Sequence, residues 1–267
     1  MIRLILTDVD GTLIGAGSQI HPRVHTALQE ARTAGIALGI CTGRPMYSLA
    51  RTYAELVSPM GVHIFQNGAH AATIDGQVVH QSLLPRQAYL ELVGISRRLQ
   101  IALEVYTATA CYAEVQSSIS LEHQRLINLA VTKTDLLALP EPIIRVQWVV
   151  TPALYPTIAA AMAGMKQVSF SSAGTPDLPE HIYTSVTRLG TSKLEGAQAV
   201  ADYYGIGLHE VMMVGDGEND LEILGGVGFG VAMGNASPKV KQAARAVVGH
   251  VNDGGLADAI ALALKVD

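Results

Sequence analysis

The sequence predicts an α/β fold in which a parallel sheet is covered by helices and interrupted by an inserted α+β segment. Three observations predict it: short apolar runs end in polar clusters, helical stretches follow those runs, and the pattern stops mid-chain and returns near the C-terminus. Strands that alternate with helices over short connections indicate βαβ units, whose strands are parallel and covered on both faces. In such sheets, ligands bind beyond the carboxyl ends of the strands.

The first half of the sheet begins at the N-terminus. Residues 2–7 form an apolar run that ends in an Asp/Gly/Thr cluster, which is typical of a buried strand. A helix follows, because Pro22 suits its first turn and apolar residues recur at helical spacing until Gly35 ends it. The apolar run 36–41 predicts a second strand, again ending in a polar cluster, and 62–65 predicts a third.

The same alternation returns near the C-terminus. The pattern predicts a helix over 193–204, a strand over 211–214, a polar loop over 215–220, a strand around 229–232, and helices from Pro238 and Leu256. These elements complete the predicted sheet, so the two halves belong to one domain.

The segment between the halves has a different pattern. It predicts a helix over 86–99, strands over 102–106 and 143–150, and a helix over 156–165. No Asp-rich cluster follows its strands, so we expect an inserted domain built from an antiparallel sheet and helices. The predicted division places 1–82 and 187–267 in the parallel core and 83–186 in the insertion.

Bulk composition excludes several classes of function. The formal net charge of −5 and the lack of a Lys/Arg run argue against a nucleic-acid partner. No stretch is long and apolar enough for a membrane span, and a charged residue follows the N-terminal run too soon for a signal peptide. Cys41 and Cys111 are too few for a disulfide framework. We therefore expect a cytoplasmic protein with no nucleic-acid or membrane partner.

The motif Asp8-Val9-Asp10-Gly11-Thr12 follows the first predicted strand. Because Asp8 and Asp10 are two residues apart on an extended backbone, both side chains can project towards the same side. Taken alone, the motif fits an Asx-turn, which is the commoner explanation. A calcium loop is the other alternative, but Gly11 comes too early and no Glu stands at the twelfth position.

Three further polar clusters strengthen the first. Thr42-Gly43 ends the second strand, Lys193 opens a helix, and the run 215–220 ends a later strand. Each alone is explained by a helix cap, a surface lysine or an acidic turn. Four such clusters at successive strand ends of one parallel sheet indicate a single site.

In these four motifs the sequence resembles the haloacid dehalogenase (HAD) superfamily. It is most similar to the Cof-type, sugar-phosphatase-like branch, in which a large C2-type cap is inserted between the second and third motifs. The resemblance covers both core segments and includes residues 65–69, 231–236 and 252–254. It implies a Rossmann-like, HAD-like core and a cap at 83–186 that determines substrate specificity.

The resemblance also implies a Mg²⁺-dependent phosphatase that acts through an aspartyl-phosphate. Asp8 would attack phosphorus, and Asp10 would act as general acid and then as general base. Mg²⁺ would be held by Asp8, the backbone carbonyl of Asp10, and Asp216. The other implied site residues are Thr42 and Gly43 for the phosphoryl oxygens, Lys193 as the cation beside Asp8, and Asn219 and Asp220 to orient the metal ligands.

Further residues are candidates for substrate contacts. Arg44 and Asn67 lie in loops at strand ends, and His123, Arg145 and Gln147 are polar residues of the insertion. The expected partner is a small phosphorylated metabolite such as a sugar phosphate, and the expected assembly is a monomer or small homo-oligomer. A phosphomutase or phosphotransferase, and a binding or regulatory module without turnover, remain alternatives.

Other motifs have simpler explanations. The glycine-rich run 226–230 mimics a dinucleotide fingerprint but does not open a helix after the first strand. Cys41 stands in an apolar run and is expected to be a core thiol rather than a nucleophile. Trp148 stands in an apolar strand and is expected to pack in a core. The histidines are expected to be surface or core residues rather than metal ligands.

Overall fold

The fold is described from a computed structural model, in which residues 1–139, 142–175 and 178–265 are described. The chain forms two compact units. The core unit comprises Met1–Arg44, Ala50–His80 and Ser192–Asp267, and the insert unit comprises Pro45–Leu49 and Gln81–Thr191.

Regular elements are numbered in chain order over the described residues. The strands are β1 (Leu4–Thr7), β2 (Ala37–Ile40), β3 (Val62–Phe65), β4 (His70–Thr73), β5 (Val78–Gln81), β6 (Glu104–Tyr106), β7 (Cys111–Ala113), β8 (Val131–Lys133), β9 (Arg145–Val150), β10 (Val168–Thr175), β11 (Leu178–Arg188), β12 (Val211–Gly215), β13 (Phe229–Ala232) and β14 (Ala246–Val247). The helices are α1 (Pro22–Thr33), α2 (Arg51–Val57), α3 (Arg86–Leu99), α4 (Ser118–Leu126), α5 (Tyr155–Met162), α6 (Lys193–Tyr204), α7 (Leu221–Gly226), α8 (Pro238–Ala243) and α9 (Gly255–Ala263).

The main sheet of the core unit is parallel. Over the described residues its strand order is β14-β13-β12-β1-β2, and every pair in it is parallel. Strand β1 pairs with β2 on one side and with the central strand β12 on the other, so Thr7 lies between Ile40 and Val214. The carboxyl ends of these strands therefore meet at one edge of the sheet. The predicted fold class, an α/β Rossmann-like core with an additional α+β part, is confirmed.

Helix α1 shows how the local sequence sets the packing. Its buried residues are the ones that recur at helical spacing: Val24, Ala27, Leu28 and Ala31. Pro22 occupies its first turn, as expected from the fixed φ of proline. Gly35 follows the helix with φ at +79°, a left-handed conformation that glycine adopts without a steric penalty.

The third predicted strand exists, but it is not a full member of the parallel sheet. Strand β3 pairs antiparallel with β4 along its whole length, in a separate sheet with the order β3-β4-β5. Its link to the region after β2 is an isolated parallel bridge between Cys41 and Ile64. The short connection between β3 and β4 favours a local antiparallel pair, which the sequence pattern does not reveal.

The insert unit contains a mixed sheet. Its order over the described residues is β10-β11-β9-β6-β7-β8, and its pairs are antiparallel except for the parallel pair of β7 and β8. The predicted antiparallel sheet is therefore found except at this one pair, for which the prediction is wrong. Helix α4 lies in the connection from β7 to β8, and a helical crossover of this kind allows two strands to run parallel.

One face of this sheet carries the apolar core of the insert unit. Val105, Val146 and Trp148 pack there with Leu92 of α3 and Ile158 of α5. Trp148 is fully buried in this cluster, which confirms its predicted packing role. The segment Pro45–Leu49 also belongs to this unit, because the Tyr47 hydroxyl donates a hydrogen bond to the Ala110 carbonyl at 2.6 Å.

The opposite face of the insert sheet is polar. Glu104 is buried, and its carboxylate lies 3.2 Å from His123 Nδ1 and accepts a hydrogen bond from the Tyr106 hydroxyl at 2.6 Å. Gln147 Nε2 lies 3.4 Å from the same carboxylate, and the Arg145 guanidinium stacks 4.1 Å from the centroid of the Tyr106 ring. Burial raises the pKa of Glu104, but His123 and the hydroxyl outweigh it and hold that pKa below its ordinary value.

The three insertion residues proposed as substrate contacts, His123, Arg145 and Gln147, are thus buried within this polar cluster. His123 lies on α4, and Arg145 and Gln147 lie on β9. No helix in the described part of the chain has the length and apolar character needed to cross a membrane.

Candidate active site

The four predicted motifs converge at the carboxyl edge of the parallel sheet. Asp8 follows β1, Thr42 follows β2, and Asp216 follows β12. Lys193 is the first residue of α6, whose N-cap Ser192 accepts a hydrogen bond from the Glu195 amide. This convergence follows from parallel pairing, since the strands end side by side.

Lys193 is a buried cation held between two carboxylates. Its side chain is 1% exposed, and its Nζ donates hydrogen bonds to Asp8 Oδ1 at 2.8 Å and Asp220 Oδ1 at 2.7 Å. Gly68 lets the start of α6 approach closely, because a Cβ atom there would lie 1.8 Å from the Ser192 carbonyl oxygen. The arrangement places two carboxyl groups against one ammonium group in a buried site.

Burial and neighbouring charges together set the pKa values of Lys193 and Asp8. Burial lowers the pKa of Lys193, but Asp220 and Asp8 outweigh it and hold that pKa above its ordinary value. Burial also raises the pKa of Asp8 to about 8, against the opposing effect of Lys193. An additional cation beside Asp8 would favour its ionised, nucleophilic form.

Asp216 is oriented through both of its carboxylate oxygens. The Thr12 hydroxyl donates to Oδ1 at 2.9 Å, and Asn235 Nδ2 donates to Oδ2 at 3.0 Å. Burial raises the pKa of Asp216 to about 6, although the Thr12 hydroxyl opposes this shift. A Cβ atom at Gly11, where φ is +77°, would lie 2.2 Å from Asp216 Oδ2, so only glycine leaves room for this carboxylate.

Asn235 was missed as a site residue from the sequence. Its Nδ2 also donates to the Gly11 carbonyl at 2.8 Å, and its Oδ1 accepts from the Val251 amide at 3.0 Å. It therefore ties the loop after β1 to Asp216 and to the turn before α9. The sequence feature that could have identified Asn235 is its place in a Gly-Asn-Ala run shortly after β13, at the same sheet edge as the other motifs.

Asp220 is fully buried and supports the loop after β12. Its Oδ2 accepts hydrogen bonds from the amides of Asp216 at 3.2 Å and Gly217 at 3.0 Å, while its Oδ1 binds Lys193. One carboxylate oxygen from each of Asp8, Asp216 and Asp220 lies within 4.8 Å of the others. A set of carboxylate oxygens is the donor chemistry that Mg²⁺ prefers, so these residues fit such an ion.

The structure brings together three of the four acidic residues named from the sequence. Asp8 and Asp216 keep oxygens close enough for a shared cation. Asp220 belongs to the same cluster, and its bonds to two amides and to Lys193 suit it to orienting the other two. The Asp10 side chain is not a member of this cluster of oxygens and is 56% exposed.

Thr42 anchors the loop after β2. It is buried, its amide donates to the Ile64 carbonyl at 2.9 Å, and its hydroxyl accepts from the Arg44 amide at 3.2 Å. Asn67, at φ +56°, donates its amide to the Thr42 carbonyl at 3.0 Å. Its side-chain oxygen accepts from Asn219 Nδ2 at 3.1 Å. These contacts join the loop after β2 to the loop after β12.

Arg44 lies against Asp10. Its Nε and Nη2 atoms donate to the two Asp10 oxygens at 2.9 and 2.6 Å, a side-on, bidentate ion pair. Burial lowers the pKa of Arg44, but the Asp10 carboxylate outweighs it and raises that pKa above its ordinary value. The guanidinium is therefore charged under all conditions relevant to catalysis.

A family comparison identifies this arrangement. The model of the haloacid dehalogenase-like hydrolases matches residues 5–260, nearly the whole chain. The chain belongs to this family. It is therefore a hydrolase, and relatives that match it over nearly their whole length are named phosphatases, so it is an enzyme of the phosphatase class.

Relatives and solved structures support the assignment. This haloacid dehalogenase-like hydrolase is 29% identical over 266 residues to the 5-amino-6-(5-phospho-D-ribitylamino)uracil phosphatase of Bacillus subtilis, covering 95% of this chain and 94% of the relative. It is 26% identical to a superfamily phosphatase of known structure from Bacteroides thetaiotaomicron, with a TM-score of 0.83 and coverage of 100% and 96%. A subclass IIB sugar phosphatase has the same fold, with 21% identity, a TM-score of 0.83 and coverage of 99% and 100%.

Two rival motifs have structural explanations in this hydrolase. Burial raises the pKa of the Cys41 thiol far above its ordinary value, so Cys41 is a core thiol, as predicted. The glycine-rich run 226–230 spans the end of α7 and the start of β13 rather than the start of a helix. Its glycines allow close packing: a Cβ atom at Gly228 would lie 1.9 Å from the His209 carbonyl oxygen.

Proposed function

We propose that this hydrolase is a Mg²⁺-dependent phosphatase that releases phosphate from small phosphorylated metabolites, in particular sugar phosphates, through an aspartyl-phosphate on Asp8. The observation that carries the proposal is the buried cluster in which Lys193 binds Asp8 while a carboxylate oxygen of Asp216 lies within 4.8 Å of Asp8. This cluster presents a nucleophile, a cation and a set of metal ligands at one point.

Charge neutralisation is the first requirement of the reaction, because a phosphomonoester dianion repels a carboxylate nucleophile. Lys193 supplies one positive charge against Asp8. Asp8, the backbone carbonyl of Asp10, and Asp216 would hold Mg²⁺, with Asp220 and Asn219 supporting that shell. The bound ion would supply the remaining positive charge against the substrate oxygens.

The covalent step forms a bond between an Asp8 carboxylate oxygen and phosphorus while the bond from phosphorus to the leaving oxygen breaks. Asp10 donates a proton to that leaving oxygen. It then accepts a proton from the water that attacks the aspartyl-phosphate, which regenerates Asp8 and releases inorganic phosphate. The Thr42 hydroxyl and the Gly43 amide would hold the phosphoryl oxygens at the end of β2.

The names of relatives and the proposed division of the chain support this substrate class. A relative is named for a ribityl phosphate and a structural neighbour is a sugar phosphatase; both leaving groups are alcohols of polyols or sugars. We assign catalysis to residues 1–82 and 187–267 and substrate choice to 83–186, with Arg44, Asn67 and Lys193 as substrate contacts in the core. The expected setting is a cytoplasmic monomer or small homo-oligomer.

Phosphate release from a panel of sugar and polyol phosphates, measured with and without Mg²⁺, tests the proposal. We expect release only with Mg²⁺, and its loss in excess chelator after exhaustive removal of metal. Asp216→Ala should mimic the chelator, whereas Asp202→Ala, which changes an exposed carboxylate on α6, should keep full activity. Turnover without metal, or no release from any ester, would contradict the proposal.

Product analysis separates the hydrolase from its nearest rival. With a hexose 1-phosphate, a hydrolase yields free phosphate and hexose. A phosphomutase yields the isomeric hexose phosphate instead, because the aspartyl-phosphate passes its phosphoryl group to a sugar hydroxyl. An isomerised product without free phosphate would show that the enzyme is a mutase and not a hydrolase.

A further inference from the structure

The Asp10 carboxylate is the exposed member of the acidic group, and one side chain fixes it. Asp8, Asp216 and Asp220 are held by buried or partly buried partners, whereas the Asp10 side chain is 56% exposed. Among the described residues, the hydrogen bonds to its carboxylate come from Arg44 alone. An exposed aspartate without such a partner samples several χ1 and χ2 rotamers.

The Arg44 contact has the geometry that removes this freedom. Two parallel N–H···O bonds, at 2.9 and 2.6 Å, engage both carboxylate oxygens through one edge of the guanidinium. Such a side-on pair fixes the orientation of the carboxylate as well as its position. It uses about two of the four lone-pair positions of the carboxylate, so the remaining positions can still exchange a proton with substrate or water.

Arg44 is itself anchored to the loop that ends β2. Its amide donates to the Thr42 hydroxyl at 3.2 Å, and its carbonyl accepts from the Gln66 amide at 3.2 Å. The Arg44 side chain is only 15% exposed. The side chain therefore ties Asp10 to the same loop whose Thr42 and Gly43 we assign to the phosphoryl oxygens.

We propose that Arg44 is the positioning residue of Asp10, setting the carboxylate at a fixed place relative to the Thr42-Gly43 loop so that it meets both the leaving oxygen and the attacking water. This inference rests on the proposed function. It assigns Arg44 a role in addition to substrate binding, because Arg44 also acts on the reaction through Asp10.

The test uses Arg44→Ala and Arg44→Lys with nitrophenyl phosphate, an activated ester that needs little protonation of its leaving group. If Arg44 positions Asp10, Asp8 is still phosphorylated, but the phosphoenzyme breaks down slowly. Both variants should then release about one nitrophenol per enzyme in a burst, followed by a steady state lowered about 100-fold, the effect of a misplaced catalytic group. Mass spectrometry of the quenched protein should find the phosphoryl group on the peptide that contains Asp8.

The Arg44→Lys variant distinguishes the positioning of Asp10 from the effect of the positive charge at residue 44. Lysine keeps a positive charge but cannot form the side-on pair. We expect it to keep the KM for nitrophenyl phosphate near that of the wild type while kcat falls as in Arg44→Ala. Arg51→Lys is the matched control, because Arg51 forms an exposed pair with Glu55 on α2 and should leave both parameters unchanged.

A double-mutant comparison shows whether Arg44 acts through Asp10. Asp10→Asn/Arg44→Ala should have the same kcat as Asp10→Asn, since the two residues act as a unit. The inference would be overturned if the losses of kcat in the two single variants multiplied in the double variant. It would also be overturned if Arg44→Ala raised KM, left kcat unchanged and gave no burst, because Arg44 would then be a substrate contact only. If Asp10→Asn itself keeps wild-type turnover, the proposed function fails instead. Thermal unfolding of each variant shows that kinetic losses do not reflect misfolding.

Discussion

At the scale of single residues, the site is defined by a buried lysine between two buried carboxylates. Lys193 and Asp220 are at most 1% exposed, and the Asp8 side chain is 10% exposed. Charges removed from water are costly unless each has a partner, so each member of this group depends on the others. Asp8 and Asp10 are chemically identical but differ in burial and partners, and this difference suits them to different steps.

The two carboxylates can be separated by covalent trapping. Asp8→Asn removes the nucleophile, so we expect background turnover and no phosphoryl group on the protein. Asp10→Asn removes proton transfer, so an aryl phosphate should still phosphorylate Asp8 while hydrolysis stalls. Mass spectrometry of quenched protein should find one added phosphoryl group in the Asp10 variant and none in the Asp8 variant. A phosphoryl group on Thr42, Cys41 or a histidine would refute the assignment.

Lys193 also contributes to stability. Lys193→Met leaves two buried carboxylates without their cation, which typically costs about 3–5 kcal/mol of unfolding free energy. Urea unfolding in metal-free buffer measures this loss. The matched control is Lys239→Met, whose exposed pair with Glu218 should contribute no more than about 1 kcal/mol. Equal effects of the two substitutions would show that the buried pair is not a stabilising contact.

At the scale of elements, the turn after β1 sets the position of Asp216. Gly11 allows that carboxylate to approach the turn in a way that any Cβ atom would prevent. The asparagine after β13 then holds the Gly11 carbonyl and Asp216 together. Short loops at strand ends thus define the site, while the strands supply a rigid base.

A pair of glycine substitutions isolates this steric effect. Gly11 and Gly35 have similar positive φ values, +77° and +79°, but a Cβ atom at Gly35 would meet no atom within 4 Å. Both alanine variants should lose about 1–2 kcal/mol of stability through backbone strain. Only Gly11→Ala should also lose phosphatase activity, because its methyl group displaces Asp216. Equal kinetics of the two variants would contradict the role of this turn.

At the scale of the whole molecule, buried histidines of the core unit limit its stability in acid. His63 Nδ1 accepts a hydrogen bond from the Ile40 amide at 3.2 Å, and Nε2 lies 2.9 Å from the Ser58 carbonyl oxygen. Nδ1 therefore acts as an acceptor and Nε2 as a donor, which is the neutral tautomer. Burial lowers the pKa of His63 to about 4, and that of His70, also in this unit, to about 4.

A lowered pKa means that the unfolded chain binds protons more readily than the native protein. Stability from these histidines is therefore complete above about pH 6.5 and is lost as the pH falls towards 4. Urea unfolding at a series of pH values measures the slope. His63→Gln should be less stable at neutral pH but show a shallower acid slope in that interval. An unchanged slope would show that His63 does not contribute to acid unfolding.

Much of the fold was readable from the sequence. The apolar runs predicted four of the five strands described in the parallel sheet, all except the two-residue β14, and helical spacing predicted the buried face of α1. These features are local, since burial of a strand or helix face requires apolar residues at a fixed period. The pairing of β3 and the parallel pair of β7 and β8 were not readable, because partner choice depends on contacts between distant segments.

The sequence by itself determined which chemical groups stand at the strand ends, because parallel strands place their carboxyl ends at one edge whatever the details of packing. Only the tertiary structure decided how these groups pair. Lys193 meets Asp8 across 185 positions of the chain, and Asn235 meets Gly11 across 224. Likewise, Arg44 forms its ion pair with Asp10, 34 positions earlier in the chain. Such contacts depend on the packing of loops and on the space that glycine leaves, which no residue pattern along the chain encodes.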